Sequence, residues 1–441
     1  MKPRLPPGPR SAILQIPRYL WRADLYYRRC FARYGDPFTE PTLLGPQVVT
    51  GGPAGARELF SLPPEASAST AFSVEALLGP SSLMVASGEA HRRGRRLLAP
   101  IFGAPRLHDL APILDDLASR RVRALAAGGR YHAFALAQEV TLDVIMRILF
   151  GVRDPRNAAA LRAELAVVLD ETRFTTLASL SRPWLRRTLG ALPPWSRLRA
   201  AIRRIDALLD DLVEHGPGEV HPDSAFAHLL AAVDDGRPLE REALRDHLMT
   251  LLLAGHETTA TSVAWGIYEL CRHPAALAEL RRATDGRSPL EVAQSPYAQA
   301  LTSEVLRLHP IIGRLGRALV QPRSFCGYDL PAGVSVALCI DALHRDPALY
   351  PDPDRFAPAR FLERSYATHE YAPFGGGVRR CIGAALARFE VPILLSVFFR
   401  AHDLELVDAG EVVPARRLVS FAPRGGVPIR VRPRAAATRV G

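Results

Sequence analysis

Two stretches of this chain hold reactive side chains in positions that ordinary structural needs seldom explain. In "PFGGGVRRCIGAALA" (373–387) a single cysteine, Cys381, follows three glycines and two arginines and precedes an apolar helical run. In "LLLAGHETTATS" (251–262) an acid, Glu257, stands beside Thr258 and Thr259 in the middle of an apolar segment. A cysteine can serve a zinc site, a disulfide, a nucleophile or a metal cofactor, and each use makes its own demand on the rest of the chain. The five cysteines (Cys30, Cys271, Cys326, Cys339, Cys381) are odd in number and widely separated, with no CxxC pair and no Cys/His cluster at zinc spacing. Neither a disulfide framework nor a structural zinc is supported.

A cysteine hydrolase needs a general base, and neither a family signature nor a local partner accompanies Cys381. A dinucleotide fingerprint fails too, because the glycines do not follow a strand at helix-opening spacing. The helix beginning "IGAALARFE" would favour a thiolate through its dipole and unpaired N–H groups. Gly375, Gly376 and Gly377 allow a tight turn or a close approach to something flat, and Arg379 offers charge-assisted bonds to an anion. The remaining use of an isolated, helix-stabilised thiolate is as the single protein ligand of a haem iron.

Burying an acid and a hydroxyl within an apolar helix costs free energy unless partners satisfy them. Gly255 weakens that helix by about 1 kcal/mol relative to alanine. One wet turn on an otherwise apolar helix would account for the stretch. A local groove with an acid–alcohol pair that handles protons would account for it as well. Glu304 and Arg307, in "SEVLRLHP" (303–310), share a helix face at i, i+3, where an exposed pair is worth about 0.2–0.5 kcal/mol; a solvated face is the simpler reading. His91 and Arg95, in "GEAHRRGRRLLAPIF" (88–102), lie one turn apart and read either as a solvated basic face or as donors for an anionic ligand group.

Positioning these groups falls mostly to helices. Apolar periodicity predicts helices over about 17–34, 89–102, 106–127, 134–151, 155–179 and 197–215. Residues 239–273 read as one helix of about 50 Å at 1.5 Å per residue, apolar all round at its centre and therefore running through the core. Alternating runs in "DPFTEPTLLGPQVVTGG" (36–52) predict a hairpin. From 315 onward short strands dominate ("LGRALV", "FCGYDL", "GVSVALCI"), with a last helix at 382–401 and a terminal hairpin near 418–432. Residues 68–88, broken by Gly79 and Pro80, and 177–198, with three prolines and two tryptophans, read as mobile loops over a substrate entrance.

The chain has 441 residues, 48% hydrophobic and 23% charged, with no linker or repeat to divide it. The expectation is mainly α with a smaller β portion, one domain over 1–441, with 1–66 and 315–340 supplying the β-rich part. The net charge is +11, and Lys2 is the only lysine among its basic residues. The arginines are spread over many helices without an aromatic-interleaved stripe, which speaks against nucleic acid and leaves a basic face for an acidic partner. No uncharged run of ~20 apolar residues predicts a membrane span, and prolines and charges occupy the place of a signal peptide's apolar core. The expected state is a cytoplasmic monomer.

Four stretches, taken in order, carry a resemblance. "AGHETT" (254–259), "EVLR" (304–307), "DPDRFAPARF" (352–361) and "FGGGVRRCIG" (374–383), the last matching Phe-Gly-x-Gly-x-Arg-x-Cys-x-Gly, stand in the order of one family. The chain resembles a cytochrome P450, a haem–thiolate monooxygenase, over nearly its whole length. The resemblance implies a triangular, haem-containing single domain with a long central helix. It implies haem b (iron protoporphyrin IX), with Cys381 as the metal ligand and Phe374 and Gly375 beside the sulfur. His91, Arg95 and Arg379 match positions that hold the propionates; Arg317 is a fourth candidate, with Arg314 its rival. Ala254 and Gly255 would line the cofactor from the central helix. Glu257 and Thr258 match the acid–alcohol pair that delivers protons during oxygen activation, with Glu where many bacterial relatives have Asp. Glu304, Arg307 and Arg360 match a buried triad supporting the haem loop, which reverses the solvated reading of the first two.

By position, the substrate pocket would draw on Phe72, Leu77, Leu83, Met84, Leu251, Ala254, Ile311, Ile312, Leu315 and Phe421, although apolar cores and pocket walls share composition. An apolar wall implies hydroxylation or epoxidation of a terpenoid, steroid or fatty acyl substrate, and Arg314 would add a contact for a carboxylate. Dioxygen is the implied co-substrate. No flavin or iron–sulfur domain is fused, so electrons from NAD(P)H would arrive through a ferredoxin reductase and a ferredoxin, with exposed arginines such as Arg380 meeting an acidic partner. A peroxide-driven or isomerising haem–thiolate enzyme is an alternative, and it would not need the Glu257–Thr258 pair. A haem-binding protein without turnover is another. "PPGP" (6–9) resembles the hinge after the anchor of microsomal relatives; with no anchor before it, a soluble bacterial enzyme is expected.

Overall fold

The helix predicted through the core is the axis on which the other elements stack. In the computed structural model, which describes residues 5–42, 45–70, 74–171, 195–215, 217–234, 236–408, 410–417 and 420–434, Arg241–Arg272 is one unbroken helix. Leu248, Leu252, Ala260, Val263, Ala264, Trp265 and Ile267 on it have no exposed surface, so its sides are covered all round, as its apolar centre requires. Helices Ala133–Ile145 and Ala384–Ala401 pack against it. Two glycines set how closely they approach. A Cβ on Gly255 would lie 2.9 Å from Cδ1 of Ile145, and one on Gly266 would lie 2.7 Å from the side chain of Leu395. The helix-weakening glycine thus has a packing reason.

Elsewhere the helices follow the apolar periodicity, with physical departures at their ends. The stretch 17–34 is two helices, Ala12–Trp21 and Ala23–Tyr34, separated at Arg22, whose backbone is non-helical and whose guanidinium turns onto Asp24 at 2.8 and 3.0 Å. The run after Ala133–Ile145 widens into a π turn, Met146–Phe150, and stops at the left-handed Gly151. Pro155–Glu171 and Trp195–His215 are helices; most of the predicted 177–198 entrance loop lies outside the described residues. The other predicted loop, 68–88, contains a helical turn, Glu75–Leu78, closed by Gly79 at φ 77°.

The β portion is a five-stranded sheet in the order Phe38–Thr42, Gly45–Thr50, Ser335–Cys339, Arg314–Leu319, Ser67–Ser69. Only the pairing of Gly45–Thr50 with Ser335–Cys339 is parallel, joining strands almost three hundred residues apart. The expected hairpin near 418–432 is different in the structure. Pro414–Arg417 pairs with Ser420–Pro423, whereas Pro428–Pro433 joins His402–Leu406 and Arg130–His132 in another sheet. Gly425 and Gly426, both at φ 74°, turn the chain out of the hairpin between them. Among the described residues, no helix is long and apolar enough to cross a membrane. The architecture is mainly α with a smaller β portion.

Candidate active site

The thiol loop owes its shape to glycines and one backbone bond. Cys381 N–H donates to Phe374 O at 2.9 Å, and Gly375 and Gly377 both sit at φ 63°, which L side chains resist. A Cβ on Gly377 would lie 2.1 Å from Phe60 O, so no other residue fits. The helix that follows starts at Ala384, and Cys381 lies just outside its N-terminus. Its residue surface is exposed, yet protein surrounds it closely enough that burial pushes the thiol pKa up, against the opposing pull of the Gly383 N–H, Arg95 and Arg380. The Gly383 N–H at the helix entrance favours the thiolate, as the sequence leads one to expect, while burial of the metal-free thiol opposes it.

Three arginines and a histidine converge near this loop from three elements. The Gly88–Leu98 helix brings His91 and Arg95, the strand Arg314–Leu319 brings Arg317, and the loop itself brings Arg379. Burial lowers the His91 pKa to about 4, and Arg379, Arg95 and Arg317 each repel its proton further. Burial likewise lowers Arg317 to about 10, with Arg379 adding to it. Every hydrogen-bond partner the three arginines have is neutral. Arg95 donates to Arg380 O at 2.6 Å, Arg317 to Gly316 O at 2.7 Å, and Arg379 to Ala86 O and to Ser87 Oγ at 3.0 Å.

Among the described residues, no carboxylate pairs with any of the four groups. Like charges gathered in a partly desolvated place are unfavourable unless an anionic ligand joins them. Nor does any group of three or more His, Cys, Asp or Glu among the described residues form a metal cage. A metal at Cys381 must bring its remaining ligands with it. An iron porphyrin with two carboxylates fits both requirements. The rival candidate Arg314 is elsewhere: it pairs with Glu40, donates to Tyr27 Oη at 2.8 Å and lies 5.5 Å from the Tyr19 ring. It lines a separate cavity of about 540 Å³ with Trp265 and Phe421. Its charge is already answered by Glu40, which removes it as a carboxylate contact.

On the central helix Ala254 is exposed although Leu251, Leu252, Leu253 and His256 around it are buried. Gly255 turns its Cα towards Ile145, and packing accounts for it better than contact with a flat cofactor. The hydroxyls of Thr258, Thr261 and Ser262 donate to carbonyls four residues back, Ala254 O at 2.5 Å, Glu257 O at 2.7 Å and Thr258 O at 2.9 Å. No hydrogen bond joins the Glu257 and Thr258 side chains. Glu257 instead accepts from Arg417 Nε at 3.0 Å on one oxygen and from Gln138 Nε2 at 3.1 Å on the other. Neither partner carries a sequence signal; they are ordinary residues brought over from the Pro414–Arg417 strand and the Ala133–Ile145 helix.

The residues Glu304, Arg307 and Arg360 do come together. Glu304 and Arg307 have no exposed surface and form a bidentate pair at 2.7 and 2.8 Å. Arg360 Nε and the Ala357 N–H donate to Glu304 Oε1 at 3.2 and 2.8 Å. Arg307 spends its other donors on His344 O, Pro353 O and Arg355 O, and its guanidinium lies 5.1 Å from the Tyr350 ring. His344, which no motif indicated, closes the network by accepting from the Ala372 N–H at 2.9 Å. Burial and Arg307 hold His344 well below its usual pKa, at about 3, so it is neutral and able to accept.

The expected pocket residues divide by exposure. Leu77, Leu83, Leu251 and Ile311 are buried in the core, Leu77 with only 1% of its surface exposed because the Glu75–Leu78 turn directs it inward. Met84, Ile312, Leu315 and Phe421 are half-buried, and Ala254 is exposed. Leu315 packs on the thiol loop, its Cδ1 2.9 Å from where a Gly375 Cβ would stand, and the Phe421 ring lies 2.8 Å from the corresponding point on Gly313. Phe374 is half-buried and packs on the main core. Phe72 lies outside the described residues.

Comparison with known proteins points one way. A family model described as cytochrome P450 matches residues 5–426. The chain is 36% identical over 441 residues to a protein named cytochrome P450 135B1 from Mycobacterium tuberculosis, covering 97% of this chain and 91% of that one. It is 32% identical over 438 residues to one named cytochrome P450 138 from the same species, covering 98% and 97%. Among solved structures, retinoic acid bound cyanobacterial CYP120A1 superposes with a TM-score of 0.84 at 26% identity, covering 98% of this chain and all of that one.

Proposed function

The chain belongs to the cytochrome P450 family and is a haem–thiolate monooxygenase, and from that premise we propose that it oxidises an apolar terpenoid-like substrate with electrons delivered by an acidic ferredoxin. When bound, the haem supplies an iron centre at which dioxygen is activated for insertion of one oxygen atom into a carbon–hydrogen bond or an alkene. The chain's residues hold that group and manage protons around it. Cys381 Sγ is the iron ligand. His91, Arg95, Arg317 and Arg379 take the two carboxylates, and the Glu304–Arg307–Arg360 network braces the segments leading into the thiol loop. Glu257 and Thr258 hold and pass protons, Glu257 at its carboxylate and Thr258 at Oγ1.

The observation that carries this reading is the unpaired cation cluster beside an accessible, desolvated thiol. The substrate class is supported by the apolar half-buried side chains Met84, Ile312 and Leu315, and by the retinoic acid bound in the structural neighbour. Arg380 is exposed in the thiol loop, whereas exposed Arg92 and Arg96 already pair with Glu89. Arg380 suits an acidic electron donor whose on-rate falls with salt. Reduced, haem-loaded protein treated with carbon monoxide should give the strongly red-shifted thiolate band. Survival of that band in Cys381→His would sink the ligand assignment. A spectral-shift screen of terpenes, retinoids, steroids and fatty acids tests the substrate class, and a response confined to fatty acids or steroids would overturn it.

A further inference from the structure

The element that holds Glu257 is also the one that carries Phe421. The hairpin strands Pro414–Arg417 and Ser420–Pro423 pair Arg416 with Phe421 and Arg417 with Ser420, and Ser420 Oγ donates to Arg417 O at 3.1 Å. Arg417 reaches Glu257 at 3.0 Å, with its guanidinium 4.8 Å from the Phe134 ring. On the neighbouring strand, Phe421 N–H donates to Ile311 O at 2.8 Å, and its carbonyl accepts from Trp265 Nε1 at 3.1 Å. One small β unit therefore touches the central helix twice, at Glu257 and at Trp265, and touches the turn containing Ile312 and Gly313 once.

We infer that Arg417 is a positioning residue for Glu257, clamping its carboxylate to the terminal hairpin so that proton transfer depends on where that hairpin lies. This rests on the reading of Glu257 as a proton carrier. With one oxygen on a guanidinium and the other on an amide donor, the Glu257 carboxylate is held in one orientation while lone pairs on both oxygens stay free for a proton. These two partners therefore set the direction in which Glu257 can take up a proton and pass it on. Gln138 is fixed on a packed helix, whereas Arg417 rides on the two-stranded unit Pro414–Arg417 and Ser420–Pro423. The clamp thereby links the position of the acid to the position of the hairpin.

The test uses haem-loaded Arg417→Gln, Arg417→Lys, Glu257→Gln and the double variant Arg417→Gln/Glu257→Gln. Hydrogen–deuterium exchange at the Phe421 and Arg424 amides reports the clamp without any turnover. Arg417→Gln and Glu257→Gln should each speed that exchange by about tenfold, the order expected for losing one charge-assisted bond. The double variant should add little, and Arg417→Lys should restore most of the protection. Unchanged exchange in Glu257→Gln, or full additivity in the double variant, overturns the clamp. Peroxide released per NADPH, with a surrogate ferredoxin system and retinoic acid as probe, reports proton transfer. It should rise about tenfold in Glu257→Gln and move several-fold in Arg417→Gln but not in Arg417→Lys. Normal peroxide release in Glu257→Gln counts against the proton-carrier reading. Normal release in Arg417→Gln alone counts against Arg417's positioning role.

Discussion

The molecule contains two arginine clusters that treat charge in opposite ways. Around Glu304, every donor of Arg307 has an acceptor, and the carboxylate takes Arg307, Arg360 and a backbone N–H with no exposed surface on the central pair. Around Cys381, Arg95, Arg317 and Arg379 all disfavour a proton on His91, and the three arginines bond only to neutral oxygens. Both clusters are assembled at evident cost in desolvation. The first recovers that cost within the chain, and the second leaves it to be recovered by something anionic. A closed network is architecture; an open one is a binding site.

The closed network should fail hardest when opened. Arg307→Leu leaves Glu304 as a buried charge with reduced compensation, and losses of about 3–5 kcal/mol follow when one member of a buried pair is removed. The expected result is a large fall in the urea midpoint, or no folded protein at all. Glu304→Leu/Arg307→Leu should recover part of that loss, since no buried carboxylate remains. If Arg307→Leu unfolds with the wild type, the contrast between the clusters is wrong.

The open cluster should respond in the other direction. Arg379→Gln removes one of several like charges, so the haem-free protein should be no less stable than wild type. Haem should leave about tenfold faster, the equivalent of ~1.4 kcal/mol for one lost charge-assisted contact. His91 gives the pH dependence. Burial first, then Arg379, Arg95 and Arg317, lower its pKa to about 4 in the folded haem-free chain, against about 6.5 when unfolded. The unfolded state therefore binds the extra proton first, so stability from this group is full above about pH 6.5 and declines as pH falls towards 4. In Arg379→Gln the His91 titration, followed by NMR in the haem-free protein, should move up from about 4. A downward shift would mean that the arginine was not repelling it.

What could be read in advance follows the same division. The thiol loop was legible through its glycine spacing, whereas the buried Glu304–Arg307 pair followed only from the resemblance, since i, i+3 spacing alone read as a solvated face. Apolar periodicity located the central helix to within two residues at its N-terminus and one at its C-terminus. Gln138 and Arg417 were not legible, because nothing local marks a glutamine or an arginine that meets an acid more than a hundred residues away. The surroundings of Cys381 were legible only in part for a related reason. A helix N-terminus is visible in sequence, whereas burial, which decides the direction here, is a property of the assembled fold. The register of the last strands was lost at Gly425 and Gly426, which read as hairpin interior and act as an exit from it.

The smallest expected effect lies at the edge of the closed network and sets how far closure extends. Arg360 gives Glu304 a single bond at 3.2 Å, and its other donors reach Pro351 O at 3.2 Å and Arg355 O at 3.4 Å. Removing it leaves Glu304 with the bidentate Arg307 and the Ala357 N–H, so both carboxylate oxygens keep donors. Arg360→Gln should therefore cost about 1 kcal/mol, the scale of one net hydrogen bond rather than of a broken buried pair. A cost approaching that of Arg307→Leu would mean that the network depends on its total positive charge, not on the pairing of each donor. The two clusters would then differ in degree only, and the absence of carboxylate partners around Cys381 would lose its force as the mark of a ligand site.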